Sequence, residues 1–129
     1  MLPFKKEVKM VEIVEVKTKR QQRDFINLPI RLYKDCPYFV PELYCDAKYI
    51  FSKKCIYLEQ CEQVFFNAYK DGKIVGRIQG ILQKAANEKW NQKRVRFTRF
   101  DCINDIEVSN ALFDSLSKYA KSAYCLKVL

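Results

Sequence analysis

Six cysteines and no histidine set the first limit on the chemistry open to this chain. The thiols are Cys36, Cys45, Cys55, Cys61, Cys102 and Cys125, and no two stand in a CxxC spacing. Without histidine, Ser-His and Cys-His nucleophile pairs cannot form, and neither can a mixed Cys/His zinc site. An all-cysteine zinc site lacks its usual paired spacing. The expectation is therefore six reduced thiols used as small apolar fillers, with no metal. Cys102, having no histidine partner, reads as a buried thiol rather than a nucleophile. Proton chemistry would fall to carboxylates and tyrosines. Asp101, Asp105, Glu107 and Asp114 give residues 100–114 four acids and no base.

The remaining charge is basic. The net charge is +9, with nine basic and four acidic residues in 1–34 and six basic against one acidic in 84–99. Such a surface suits an anionic partner, and equally suits a solvated lysine-rich face. "KRVRFTRF" (93–100) interleaves bases with aromatics, and simple alternation puts Arg94, Arg96 and Phe100 on one strand face. Sheets that bind single-stranded RNA use such stacking faces. The RNP consensus with its glycine is missing, however, so nucleic-acid binding is the weakest functional reading.

Several elements must position these groups. At 129 residues and 49% hydrophobic content the chain is long enough for one core, and 1–129 reads as a single domain. No apolar run nears the roughly 18 residues of a membrane span. "MLPFKKEVKM" lacks the apolar stretch of a secretory signal, so the expected address is the cytoplasm. "VEIVEVK" (11–17) alternates as a half-buried strand. Thr18 and Gln21 are spaced as a capping box opening a helix with a stripe of Phe25, Leu28, Leu32 and Tyr33. Pro29 inside that stripe predicts a kink or a break. "PELYCDAKYIF" (41–51) suits a second short helix, and 52–62 a loop.

"YKDGKIVGRIQGIL" (69–82) reads as a β-hairpin turning at Asp71-Gly72. A regular register pairs Tyr69 with Ile74, Asn67 with Gly76 and Phe65 with Ile78. Both faces are then substantially apolar, which calls for a layer on each side of the sheet. Gly76 and Gly80 invite close approach by a helix, or mark a bulge. Residues 85–93 form a short helix or turn, and "RVRFTRFDC" (94–102) a further antiparallel strand. A long helix follows, capped by Asn104 or Asp105, with a stripe of Val108, Leu112, Leu116, Tyr119 and Ala123. "CLKVL" (125–129) looks like the start of a strand.

The order β-α-α-β-β-β-α-β, together with "RLYKDCPYFVPEL", "AYKDGKIVGRI", "NEKWN" and "FDCINDIEVSNALFD", resembles the N-terminal half of a GNAT-fold acyl-CoA N-acyltransferase. More narrowly it resembles the opening of a longer, mostly uncharacterised bacterial GNAT-like group. That resemblance implies an α+β fold with a mixed, mostly antiparallel sheet and helices on both faces. It also implies a domain incomplete at its C-terminus, and acyl transfer from acetyl-CoA to an amine. In the family, the cofactor diphosphate rests on the start of the helix that follows the fourth strand. Carried over by position, the cofactor-binding residues are Phe100, Asp101, Cys102, Asn104, Glu107 and Ser109. Glu107 and Ser109 stand where the family has glycines, so "NDIE" reads first as a self-capped helix start. No catalytic residue follows from the resemblance, and the isolated chain is expected to be inactive. The competing reading is a non-catalytic GNAT-like module acting in protein association. The strand at 94–102 would then present a free edge near Val95 and Phe97, pairing with a missing C-terminal half or in a weak homodimer.

Overall fold

The computed structural model describes residues 10–53, 55 and 61–124. The elements run β1 (Glu12–Glu15), α1 (Lys19–Leu32), α2 (Tyr44–Tyr49), β2 (Cys61–Lys70), β3 (Lys73–Gln83), α3 (Lys84–Lys89), β4 (Arg96–Cys102) and α4 (Ile106–Tyr124). The four strands form one sheet in the order β1-β2-β3-β4, with every pairing antiparallel. The strand expected at 125–129, and Cys125 with it, lie outside the described residues. The other five cysteines are free thiols.

Local signals in the sequence account for where the helices begin. The Thr18 hydroxyl accepts from the Gln21 N–H at 3.2 Å, and the Gln21 side-chain oxygen takes the Thr18 N–H at 2.9 Å. That reciprocal pair satisfies two donors that α1 would otherwise leave open. Of the kink or break expected at Pro29, the break does not occur, since α1 continues to Leu32. Proline has no N–H, so the Phe25 carbonyl four residues earlier loses its helical donor. Arg77, on β3, replaces it through Nη1 at 2.9 Å. The second helix is shorter than the expected 41–51, because Leu43 is still extended (ψ 132°) and α2 starts only at Tyr44.

The hairpin turn is as expected, with Asp71 and Gly72 both at positive φ. Its register is not. Tyr69 pairs with Ile74, but Ala68 pairs with Gly76, Asn67 with Arg77 and Phe66 with Ile78. Val75 is an extra residue, a β-bulge, and it reverses the facing of every β3 side chain beyond it. Gly76, Ile78, Gly80 and Leu82 therefore join Val64 and Ala68 on the face that α4 covers, while Arg77 and Gln79 turn toward α1.

A second bulge lies in β4. Gln79 pairs with Thr98 and Arg77 with Asp101, leaving two β4 residues opposite one on β3. Arg99, at φ +47°, takes up the extra length. Phe97 and Phe100 consequently both meet Phe113 of α4, at 5.0 and 4.8 Å between ring centroids. Arg94, Arg96 and Phe100 do not share a face, and the stacking surface expected from simple alternation is not assembled.

Val64, Ala68, Ile78, Leu82, Val95, Val108, Leu112, Leu116 and Ala120 form the main core. Ala120 takes the place expected for Ala123, which is exposed. Val95 is fully buried there rather than standing at the edge. On the opposite face Phe25, Phe51 and Phe65 make a second cluster, with centroids 4.5–5.6 Å apart.

Candidate functional site

The bulge at Arg99 decides which chemistry meets on the α1 side of the sheet. Beyond it, Asp101 turns toward β3 and α1. Its Oδ2 accepts from Arg77 Nε at 2.9 Å and lies 2.9 Å from Nη2 of the same guanidinium in an ion pair. Its Oδ1 accepts from the Tyr33 hydroxyl at 2.6 Å. Arg77 donates its remaining arm to Phe25 and lies 4.8 Å from the centroid of that ring. Burial lowers the Arg77 pKa, while Asp101 beside it acts to hold the charge. Both oxygens of Asp101 are occupied, so as it stands the carboxylate is a structural anchor rather than a free base.

The hydrogen bond to Asp101, together with burial, pushes the Tyr33 phenol up to about 12. Tyr69, which donates to Asp24 at 2.9 Å, is also pushed up to about 12, chiefly by burial. Both phenols ordinarily titrate near 10.0. Between pH 10 and 12 the unfolded chain loses these protons while the folded protein keeps them. The unfolded state then binds fewer protons, so stability is intact below pH 10 and falls as pH rises through that window. Urea midpoints measured from about pH 9 to about pH 12 should fall, and Tyr33→Phe should make the fall shallower. An unchanged slope in that variant would remove Tyr33 from the explanation.

The start of α4 is built differently. Asp105 caps it by accepting the Glu107 N–H at 3.0 Å. The Lys70 ammonium, 2.5 Å away, holds the Asp105 carboxyl below its usual range. Glu107 and Asn104 are exposed, and the Ser109 hydroxyl donates to the Ile106 carbonyl at 3.0 Å. Burial, then the nearby Asp101 and Asp105 charges, raise the Cys102 thiol. It is therefore poorly suited to act as a thiolate.

The six residues carried over for cofactor binding thus divide. Phe100 and Cys102 lie on the α4 side of β4, Asp101 on the α1 side, and Asn104, Glu107 and Ser109 at the helix start. Sequence reasoning missed Arg77 and Tyr33 as partners of Asp101. It had one usable signal for Arg77, since Pro29 announces a carbonyl in need of an outside donor.

Two cavities flank the bulge. One, of about 180 Å3, lies between α1 and the 39–44 segment, with Arg77 and Glu42 in its wall. The other, of about 310 Å3, is walled by Gln63, Gln79, Gln83, Thr98 and Arg99 among others. None of the six residues carried over for cofactor binding lines either one. No helix among the described residues is long and apolar enough to cross a membrane. Nor do those residues group three metal-ligating side chains.

The antiparallel sheet, bulged at its fourth strand and covered on both faces by helices, is a GNAT-like fold. A GNAT-family acetyltransferase from Staphylococcus aureus Mu50 superposes with a TM-score of 0.63 at 15% identity, over 92% of this chain and 70% of that one. An aminoglycoside acetyltransferase from an uncultured soil metagenomic sample, solved with sisomicin, gives 0.64 at 11% identity, over 93% and 76%. A predicted acetyltransferase of Clostridium acetobutylicum solved with acetyl-CoA gives 0.57 at 15% identity, over 93% and 79%. In sequence the chain is 29% identical to Protein YghO of Escherichia coli K12 over 110 residues. That match takes in 85% of this chain, which spans only 28% of the length of YghO. No family model matches the chain.

Proposed function

We propose that this chain is the GNAT-fold part of an acyl-CoA-dependent N-acyltransferase, transferring an acyl group to an amine. The observation behind this reading is the fold itself, a GNAT-like sheet whose fourth strand is bulged at Arg99. Bulges next to active sites re-aim side chains, and this one turns Asp101 to the α1 side of the sheet, where it meets Arg77. The residues at the start of α4, however, do not fit the diphosphate of acetyl-CoA. A phosphate site at a helix N-terminus needs open N–H groups and positive potential. Here Asp105 takes the Glu107 N–H, and Glu107 adds a second carboxylate that Lys70 does not pair.

That acidic helix start favours a second reading, a non-catalytic GNAT-like module that associates with a partner through β4. As the end strand of the described sheet, β4 offers backbone groups to another chain. Calorimetric titration with acetyl-CoA separates the two. The wild-type chain should bind more weakly than about 10 μM, and Glu107→Gly/Ser109→Gly should bind at least about tenfold more tightly. No binding by either protein would overturn the acyltransferase reading, and a concentration-dependent dimer in sedimentation would then support the module. Wild-type binding tighter than about 10 μM would overturn the exclusion assigned to the acids.

A further inference from the structure

The larger cavity beside the bulge has a wall chemistry of its own. Three glutamine amides, the Thr98 hydroxyl and the Arg99 guanidinium line it, and no carboxylate is among the described residues of its lining. Gln79 is only 2% exposed, and each end of its amide holds a partner. Its Nε2 donates to Gln63 at 3.1 Å, and its Oε1 accepts from Arg99 Nη1 at 3.2 Å. A buried side chain is thus spent on aiming one guanidinium. Arg99 is also held at φ +47°, a backbone state that long side chains rarely adopt, and such strain gathers at functional positions.

Among the described residues, Arg99 has one carboxylate partner. Its Nη2 lies 3.2 Å from Oε1 of Glu42, a single end-on contact to a half-exposed side chain. Glu42 belongs to the wall of the smaller cavity and Arg99 to that of the larger, so their contact links the two walls. A guanidinium can grip a carboxylate with two parallel N–H bonds, a better arrangement than the one Glu42 makes.

We infer that the larger cavity is a binding site for a small-molecule carboxylate, read by Arg99, with Glu42 as the internal carboxylate that the ligand displaces. The Gln63 and Gln83 amides and Thr98 supply donors and acceptors for the rest of such a ligand. Resting on the N-acyltransferase reading, the acceptor amine would then be carried on a short chain ending in a carboxylate, as in an amino acid. Among the described residues, the wall offers no anionic site for a polycationic acceptor.

The test is an NMR titration of the whole chain with succinate and, separately, with succinamide, which matches it in size but carries no charge. Succinate should bind near ~1 mM and succinamide at least about tenfold more weakly. Arg99→Asn, which tolerates positive φ, should lose at least about tenfold in succinate affinity. Glu42→Gln removes the competing carboxylate and should strengthen succinate binding about threefold or more. Equal binding of the two probes, no binding of either, or unchanged succinate affinity in Arg99→Asn would overturn the inference. If Arg99→Asn does not fold, the probe pair and Glu42→Gln decide the matter. Succinate binding without acetyl-CoA binding by either the wild type or Glu107→Gly/Ser109→Gly would leave this site standing and sink the acyltransferase reading. Acetylation of amines without succinate binding would do the reverse.

Discussion

Asp101→Ala is expected to destabilise the protein by about 3–5 kcal/mol, the usual cost of breaking a buried ion pair from one side. The side chains of Arg77 and Asp101 are only 11% and 16% exposed. Removing the carboxylate leaves the guanidinium buried without a counter-charge, and leaves the Tyr33 hydroxyl without its acceptor. Against a total stability of about 5–15 kcal/mol, that loss is large. Removing both charges with Arg77→Met/Asp101→Leu should recover part of it, since no unpaired charge then remains. Recovery will be incomplete, because Pro29 still withholds a donor from the Phe25 carbonyl, a deficit of about 1–3 kcal/mol. Urea unfolding of the wild type, the single variant and the double variant gives the ordering. A double variant as unstable as Asp101→Ala would mean that buried charge is not the cause.

Gly80→Val should cost about 3 kcal/mol, at the upper end for overpacking a well-filled core. A Cβ at Gly80 would meet Leu116 Cδ1 at 2.5 Å and Val64 Cγ1 at 2.8 Å. The leucine methyl can swing aside, but valine is stiff at χ1 and sits on the neighbouring strand. Strand preference works the other way, favouring valine over glycine by about 1 kcal/mol, and is too small to offset the clash. For a domain of this length the loss corresponds to a fall of roughly 10 °C in Tm. Leu116→Ala in the Gly80→Val background should restore part of it by opening space. Gly72→Ala is the contrast. Nothing lies within 4 Å of its Cβ position, so the cost is only that of φ +73°, about 1 kcal/mol. Equal losses at the two glycines would show that backbone freedom, not helix approach, is what Gly80 supplies.

Local chemistry in the sequence determined the ends and types of most elements. Thr18 with Gln21, the Asp71-Gly72 turn and the Asp105 cap each satisfy or bend backbone within a few residues, so their effect is visible without the rest of the chain. The periodic stripes of α1 and α4 were legible for the same reason, apart from the exchange of Ala123 for Ala120. The GNAT-like order of elements followed from these. The candidate site was much less legible. Its geometry depends on two extra residues, one at Val75 and one at Arg99, that place Arg77 and Asp101 on one face. An alternating pattern reads the same whether or not a bulge interrupts it, since each bulge shifts facing by one residue without changing composition. Which facing wins is set by what α4 and α1 can cover: Gly76 and Gly80 must lie under Leu112 and Leu116, and the Phe25 carbonyl must find a donor. Those are contacts between residues tens of positions apart, and only the packed tertiary structure decides them.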